Sequence, residues 1–259
     1  MFYLFNLEIS MIVLSKSLYN NICVMSNKTF VLYMMGGSGT RFGAEKPKQF
    51  MIVKNNPVFL YPLFKYEEMA DIDGIVIVCN SLYLEEAKQY IDKALLKKVI
   101  SIVPGGETRS ESVFNGLTAL KQFAKEKDVV LIHDATHPFV DKENTSLLIK
   151  KIEKYGAGTM VNYIYDTAYI KDDNGFLVST IDRRSLAVGA SPEGFLFGII
   201  SDIYFNTAKS ELEKMTSAGA LALHFKIKMM VIEINLLNLK ITYKRDMELF
   251  DSLIEYYTK

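Results

Sequence analysis

The sequence predicts an α/β fold with a doubly wound, mainly parallel sheet and a protruding β-hairpin arm. Short apolar runs alternate with helical patterns after residue 29, which is typical of right-handed βαβ units. Polar and apolar residues alternate across 163–183 around Asp-Asp-Asn-Gly at 172–175, a strong turn signal that favours a hairpin. With 259 residues and 49% hydrophobic content, the chain can bury one substantial core.

Each element follows from its own pattern. Residues 29–35 form an almost wholly apolar run, which predicts a strand buried on both faces. A helix opened by proline is predicted at 57–69, a strand at 75–79 and a charged helix at 82–97. The remaining patterns predict strands at 99–103 and 129–133, and helices at 111–124 and 144–154.

A glycine-rich turn directly follows the first predicted strand, at the carboxyl end where open α/β sheets bind ligands. Residues 36–50 read Gly-Gly-Ser-Gly-Thr-Arg-Phe-Gly-Ala-Glu-Lys-Pro-Lys-Gln-Phe. Glycines let backbone N–H groups approach phosphate oxygens, whereas the spacing fits neither a Walker loop nor Gly-x-Gly-x-x-Gly. We predict a polyphosphate site formed by Gly36, Gly37, Ser38 and Gly39, with positive charge from Arg41 and Lys48.

This segment resembles the nucleotide-binding signature of the cytidylyltransferases that make CDP-methylerythritol, and of the related ribitol 5-phosphate enzymes. Further matches follow in order: Pro-Gly-Gly-Glu-Thr-Arg-Ser-Glu-Ser-Val at 104–113, His-Asp-Ala-Thr-His-Pro at 133–138, Asp-Thr at 166–167, Asp-Arg at 182–183, Ser-Pro-Glu at 191–193 and Asn-Leu-Lys-Ile-Thr at 238–242. The resemblance covers about residues 29–258. It implies a Rossmann-like nucleotidyltransferase domain and a homodimer in which the 163–183 arm helps to build the partner's site.

The resemblance also implies a reaction of the EC 2.7.7 type. A phosphate oxygen of a polyol or sugar phosphate attacks the α-phosphorus of CTP, and pyrophosphate leaves. Because negative charge accumulates, the protein acts mainly by positioning and charge stabilisation. By motif position, the catalytic cations are Arg41, Lys48 and Lys240. The implied nucleotide contacts add Gly106, Arg109, Ser112 and Ala135, and the implied acceptor contacts are Asp166, Thr167 and Thr180.

Asp134 follows the predicted strand 129–133, and the resemblance implies that it holds Mg²⁺, the expected cofactor. One carboxylate suits this role because Mg²⁺ usually keeps several waters. A turn or capping aspartate is the competing interpretation, as helix capping is for Arg109 and Ser112. We interpret His133 as structural and leave the role of His137 open. His137 replaces the usual Arg, and a histidine can be uncharged at neutral pH, unlike an arginine.

The acceptor region departs from the methylerythritol pattern, because the usual basic pair after Asp-Thr is absent and Lys171 comes one residue late. We place 2-C-methyl-D-erythritol 4-phosphate first, as a step of isoprenoid precursor synthesis, and ribitol 5-phosphate for cell-surface polymers second. A sugar-nucleotide pyrophosphorylase is disfavoured by the seven-residue step from Arg41 to Lys48. A catalytically weak nucleotide-binding or scaffold homologue is the alternative from another class.

Thirty basic residues balance thirty acidic ones, so we expect neither nucleic acid nor membrane as a partner. Residues 1–28 lack the features of a secretory signal, and we interpret them as an N-terminal extension produced by a mis-assigned start codon. Cys23 and Cys79 give no disulfide framework. Cys79 reads as a buried core thiol, which agrees with the cytoplasmic location that we expect.

Overall fold

The computed structural model describes residues 27–37, 46–234 and 236–257, with the backbone alone described at residue 257. Ser38, Gly39 and Arg41 therefore lie outside the described residues, as does nearly all of the N-terminal extension, residues 1–28. The division into an extension and a nucleotidyltransferase domain at 29–258 stays a prediction.

The described residues form eleven strands. They are β1 (Thr29–Met35), β2 (Ile52–Val53), β3 (Asn56–Pro57), β4 (Gly74–Cys79), β5 (Val99–Pro104), β6 (Val129–Asp134), β7 (Ala157–Tyr163), β8 (Ala168–Lys171), β9 (Leu177–Ile181), β10 (Ala187–Leu196) and β11 (Met230–Glu233).

The helices that the structure describes are α1 (Leu60–Glu68), α2 (Leu84–Lys93), α3 (Arg109–Leu120), α4 (Lys142–Tyr155), α5 (Phe197–Asn206), α6 (Lys209–Leu212), α7 (Ala218–His224) and α8 (Lys244–Tyr257). Short 3₁₀ helices lie at Lys48–Phe50, Ser81–Tyr83 and Arg183–Ser185. None of the helices within the described ranges is both long and apolar enough to span a bilayer.

Seven strands form the central sheet in the order β11-β7-β10-β6-β1-β4-β5. β1 pairs in parallel with β4 and β6, β4 with β5, and β7 with β11, whereas β10 runs antiparallel between β6 and β7. The predicted mainly parallel α/β sheet is confirmed. Its register places Met34 of β1 beside Asp134 of β6, so both strands end at the same edge.

Helices cover both faces of the sheet, because the side chains of β1 alternate between two cores. Val31, Tyr33 and Met35 pack with the apolar faces of α1, α2 and α4. Phe30 and its neighbours at alternate positions pack with α3, α5 and α7 on the opposite face. This doubly wound arrangement explains why the whole strand is apolar. Cys79 is buried in the first core, as predicted, and burial raises the pKa of its thiol to about 12.

The predicted elements are present, with shifted ends. The helix predicted from 82 ends at Lys93, and Leu95 just beyond it has a φ of +55°. The helix predicted from 111 begins at Arg109, because the Thr108 side chain caps it. The prediction that Pro57 opens a helix is wrong, since Pro57 lies in β3; Pro62, in the first turn of α1, leaves no helical hydrogen bond unmade.

The hairpin predicted at 163–183 is present. β8 and β9 pair antiparallel, and the turn between them includes Gly175 with a φ of +92°, a conformation that glycine adopts readily. No residue between 162 and 189 is fully buried in the single chain. At the base of the arm, the Tyr165 hydroxyl group donates to Oε1 of Glu233 on β11 over 3.0 Å.

Candidate active site

A cleft of about 530 Å³ opens where β1 and β6 end. Its walls come from the turn after β1, the segment before α3, the turn after β6 and the strand-free stretch before α8. The structure brings nine of the predicted site residues together around this cleft: Gly36, Gly37, Lys48, Gly106, Arg109, Ser112, Asp134, Ala135 and Lys240. Their individual roles stay predictions.

The turn after β1 is held by Gln49, a residue that the sequence analysis passed over. The Gln49 side chain is buried, and its Nε2 donates to the backbone oxygens of Met35 at 3.0 Å and Gly37 at 2.9 Å. Both amide hydrogens are therefore used to fix the start of the glycine turn. The adjacent Lys48 lines the cleft, so one short 3₁₀ helix both anchors the turn and presents a cation.

The second loop is ordered by its own side chains. Thr108 caps α3 by accepting from the Glu111 N–H group, and Ser112 Oγ accepts from the Gly106 N–H group at 3.0 Å while donating to the Thr108 carbonyl at 2.9 Å. A Cβ atom on Gly36 would lie 3.2 Å from the same Ser112 oxygen. A side-chain cap at the start of α3 is thus present, and it is made by Thr108. Ser112 lines the cleft, and its hydrogen bonds hold the loop in shape.

Asp134 stands between two cations. Its Oδ1 accepts from Arg109 Nη2 at 3.1 Å, and its Oδ2 accepts from Lys240 Nζ at 3.3 Å. Arg109 is supplied by the start of α3, and Lys240 by the segment that precedes α8. The three charges therefore converge from elements that are distant in sequence, and the carboxylate neutralises part of the positive charge of the cleft.

The electrostatics agree with this arrangement. Burial on its own would raise the pKa of Asp134, but the charges of Arg109 and Lys240 outweigh it and hold that pKa far below its usual range. Burial on its own would lower the pKa of Arg109, yet the facing carboxylates of Asp134 and Glu193 raise it. Both groups are consequently charged at neutral pH.

His133 has the structural role that we predicted. It is buried, its Nε2 lies 2.9 Å from the His137 carbonyl oxygen, and its Nδ1 lies 2.8 Å from the Tyr66 hydroxyl oxygen. A carbonyl can only accept, so Nε2 carries the hydrogen and Nδ1 accepts from Tyr66. Burial lowers the pKa of His133 to about 4, which keeps the ring neutral.

His137 is buried beside the same turn and contacts Asn238. Burial, the repulsion between His137 and His133 when both are protonated, and the positive charge of Lys240 lower its pKa to about 3. The sequence left the role of His137 open, and the structure makes the ring neutral at neutral pH. It cannot supply the positive charge that an Arg would carry at this position.

The predicted acceptor residues lie elsewhere. Asp166, Thr167 and Thr180 are exposed on the arm and do not line the cleft of their own chain. Thr180 pairs with Tyr169 across the hairpin. Within the described residues of a single chain, the cleft and these three arm residues are therefore separate.

The donor set at Asp134 was tested against the implied Mg²⁺. Within the described ranges, no group of three or more His, Cys, Asp or Glu side chains is placed to enclose a metal ion. Asp134 alone offers a carboxylate at the strand end, beside the cleft where phosphate oxygens and water would complete the coordination. The residues fit a magnesium ion that arrives with a polyphosphate, and they do not fit a resident transition metal.

Known proteins match this chain over most of its length. The family model IspD, 2-C-methyl-D-erythritol 4-phosphate cytidylyltransferase, matches residues 30–255. The enzyme of that name from Clostridium botulinum (strain 657 / Type Ba4) is 34% identical over 232 residues, covering 90% of this chain and 100% of that protein. The one from Leptospira borgpetersenii serovar Hardjo-bovis (strain JB197) is 32% identical over 236 residues, covering 91% and 97%.

Solved structures are similar in fold. The 4-diphosphocytidyl-2C-methyl-D-erythritol synthase of Anaerococcus prevotii superposes with a TM-score of 0.74 at 24% identity, over 88% of this chain and 99% of that chain. The 2-C-methyl-D-erythritol 4-phosphate cytidylyltransferase of Francisella tularensis gives 0.72 at 24% identity, over 87% and 99%. The chain belongs to the 2-C-methyl-D-erythritol 4-phosphate cytidylyltransferase family.

Proposed function

We propose that this protein transfers CMP from CTP to 2-C-methyl-D-erythritol 4-phosphate and releases pyrophosphate. The observation that carries this proposal is the convergence of Lys48, Lys240 and Asp134 on one cleft at the carboxyl edge of the sheet, in a chain of this family. Cations that approach a cleft from opposite sides suit a triphosphate, whose charge must be held from both sides during transfer.

The reaction requires an acceptor phosphate oxygen to bond to the α-phosphorus of CTP while the bond between that phosphorus and the bridging oxygen of pyrophosphate breaks. Lys48, beside the glycine turn, neutralises charge on the departing pyrophosphate. Lys240, which reaches Asp134 from the other wall, neutralises charge on the α-phosphate. Arg41 would join Lys48, but it lies outside the described residues. No side chain needs to form a covalent intermediate, because positioning and charge stabilisation suffice.

The nucleotide contacts follow from the loops. Gly36 and Gly37 line the cleft beside Gln49, which holds the turn in shape, and we assign the triphosphate to this end. Gly106 and Ala135 bring backbone close to the base and ribose, because neither adds a bulky side chain to the wall. Selectivity for CTP rests on these backbone contacts in the proposal.

Mg²⁺ is proposed as the cofactor, held by Asp134 and by phosphate oxygens of CTP. When bound, it would neutralise phosphate charge and orient the α-phosphate. Asp134 is suited to this because its depressed pKa keeps the carboxylate ionised at any physiological pH.

A homodimer is proposed in which the arm of one chain supplies Asp166, Thr167 and Thr180 to the acceptor side of the partner's cleft. The proposal is supported by the exposure of these residues and of the apolar side chains around them. A cytoplasmic location remains part of the proposal, consistent with the buried free thiol of Cys79.

The direct test incubates the purified protein with CTP, Mg²⁺ and 2-C-methyl-D-erythritol 4-phosphate and measures pyrophosphate release together with the mass of the nucleotide product. Ribitol 5-phosphate replaces the acceptor in a parallel reaction, and UTP replaces CTP in another. We expect release with CTP and the methylerythritol acceptor. Release only with ribitol 5-phosphate would reassign the acceptor, and silence with both would reject the proposal.

Two variants accompany this assay. Lys48→Ala should lower turnover by ~10²–10³ because it removes one cation from the transferring phosphates. Lys88→Ala is the matched control, since Lys88 is exposed on α2 and pairs only with Glu85 among the described residues. Equal activity of the two variants would remove Lys48 from the mechanism.

A further inference from the structure

Glu193 on β10 has one satisfied and one unsatisfied carboxylate oxygen. Its Oε1 accepts from the Gly219 N–H group at 3.2 Å. Its Oε2 is buried and has no hydrogen-bond partner within the described part of the chain. The cation that faces this oxygen is Arg109, whose Nη2 lies 3.9 Å away. This distance is too long for a hydrogen bond, although it is within reach of a small side-chain movement.

Arg109 forms its hydrogen bond with Asp134 and not with Glu193. The same Nη2 atom donates to Asp134 Oδ1 at 3.1 Å, so the guanidinium is shared unevenly between two carboxylates. An unpaired buried carboxylate oxygen is costly, because it has lost its water without gaining a donor. Movement of Arg109 toward Glu193 would therefore give Glu193 Oε2 a hydrogen-bond donor and break the contact between Arg109 and Asp134.

Release of Asp134 is what the proposed function needs. Each oxygen of Asp134 accepts a hydrogen bond from a cation, one from Arg109 and one from Lys240. A carboxylate that binds Mg²⁺ must free at least one oxygen. An Arg109 that left Asp134 without a new partner would remain a partly buried, uncompensated cation, which is strongly unfavourable.

We propose that Glu193 is a positioning residue that takes over the Arg109 guanidinium when Asp134 turns to the magnesium ion and the triphosphate. This proposal rests on the proposed function. A carboxylate is required for it, because one oxygen must stay with Gly219 while the other receives Arg109. In a glutamine one of these two positions is an NH2 group, which donates and cannot accept from Arg109.

The test measures CTP binding by isothermal titration calorimetry with and without Mg²⁺, in the wild type and in Glu193→Gln. The substitution keeps shape and volume, and its oxygen retains the Gly219 contact, so the fold should persist. We expect the enhancement of CTP affinity by Mg²⁺ to fall roughly five- to tenfold, with CTP affinity in EDTA unchanged. Glu213→Gln removes an exposed charge that does not line the cleft, and it should keep the full enhancement.

Kinetics supply the second readout. The Mg²⁺ concentration that gives half-maximal pyrophosphate release should rise by a similar factor in Glu193→Gln, while kcat at saturating Mg²⁺ stays within about twofold. Glu193→Asp keeps the charge, so it should retain more of the Mg²⁺ enhancement than Glu193→Gln. If Glu193→Gln does not fold, the Mg²⁺ enhancement of CTP affinity is compared between Glu193→Asp and the wild type.

The outcomes separate the two proposals. A wild-type protein that fails to bind CTP in any condition would overturn the proposed function. A wild type whose CTP affinity rises with Mg²⁺, with both Glu193 variants behaving identically to it, would overturn the transfer of Arg109 and leave the function intact. A loss of kcat without any change in Mg²⁺ dependence would also contradict the positioning role.

Discussion

The Tyr66 hydroxyl group donates a hydrogen bond to Nδ1 of His133 over 2.8 Å, one residue before the carboxylate of Asp134. The two rings also meet edge to face, with centroids 5.4 Å apart. Because His133 Nε2 donates to the His137 carbonyl, the contact passes from α1 through the ring to the turn after β6. A buried tyrosine on a helix thus fixes the end of a strand in the cleft.

Tyr66→Phe removes the only hydrogen-bond donor to Nδ1 among the described residues, and leaves that nitrogen buried without a partner. We expect the free energy of unfolding to fall by about 1–3 kcal/mol. Urea denaturation followed by circular dichroism measures it. Tyr155→Phe removes a hydroxyl group from a half-exposed ring on α4 and should change stability by less than about 0.5 kcal/mol. Similar losses in both variants would contradict the role of the Tyr66 bond.

Stability should depend on pH through the two buried histidines. Their pKa values in the folded state, about 4 for His133 and about 3 for His137, lie below the ordinary value of 6.5. Below pH 6.5 these histidines take up protons in the unfolded chain but stay neutral in the folded chain. The free energy of unfolding therefore decreases as pH falls. The free energy of unfolding should drop by up to about 1.4 kcal/mol per pH unit for each histidine as pH decreases from 6.5 toward 4.

Urea denaturation between pH 7 and pH 5 checks this, and His137→Asn should show a shallower dependence because one titrating group is gone. Asp134 does not contribute in this window. Its depressed pKa adds stability that is fully present above its ordinary pKa of 3.8 and is lost only below that pH. A wild-type stability that is flat from pH 7 to pH 5 would rule out two neutral buried histidines.

Lys240→Ala should lower kcat by ~10²–10³ with little loss of stability, because the side chain is about half exposed but its ammonium group contacts Asp134 in the cleft. Steady-state pyrophosphate release and thermal unfolding give the two quantities. Lys244→Ala, an exposed lysine at the start of α8, should keep wild-type activity. An unchanged kcat for Lys240→Ala would exclude this residue from the site.

The arm offers a test of the proposed homodimer. Phe176, Leu177 and Val178 are 72%, 64% and 60% exposed in the single chain, an unusual concentration of apolar surface. Leu177→Asp should shift sedimentation velocity from dimer to monomer and reduce transfer to the acceptor, while CTP binding persists. Leu82→Asp, a similarly exposed leucine outside the arm, should stay dimeric. A wild-type monomer with full activity would reject the proposed dimer.

The position of the first loop at the cleft could be predicted because its residues closely follow the first strand. The apolar run at 29–35 locates the sheet edge, and the glycines and Lys48 follow it directly. Local sequence therefore carries both the strand and the loop that it supports. The capping of α3 by Thr108 was similarly within reach, since the cap and the helix are adjacent.

The rest depends on pairings between distant segments. Glu193 lies opposite Ile132 only because β10 inserts antiparallel between β6 and β7, and the sequence does not reveal that order. The contact between Arg109 and Asp134 likewise joins a helix start to a strand end 25 positions away. Gln49 was passed over because a neutral amide carries no charge signal, although its neighbour Lys48 was recognised.

The arm is an appendage of the sheet, and its own two strands pair only with each other. β7 and β10 are adjacent in the sheet, and their pairing is complete at Tyr163 and Ala187, where the arm begins and ends. Its residues can therefore be exchanged, lengthened or shortened without removing a buried side chain from either core. The arm can therefore be replaced as a unit at these two junctions, and exchanging it for the hairpin of a relative would test whether the arm takes part in acceptor choice, as proposed.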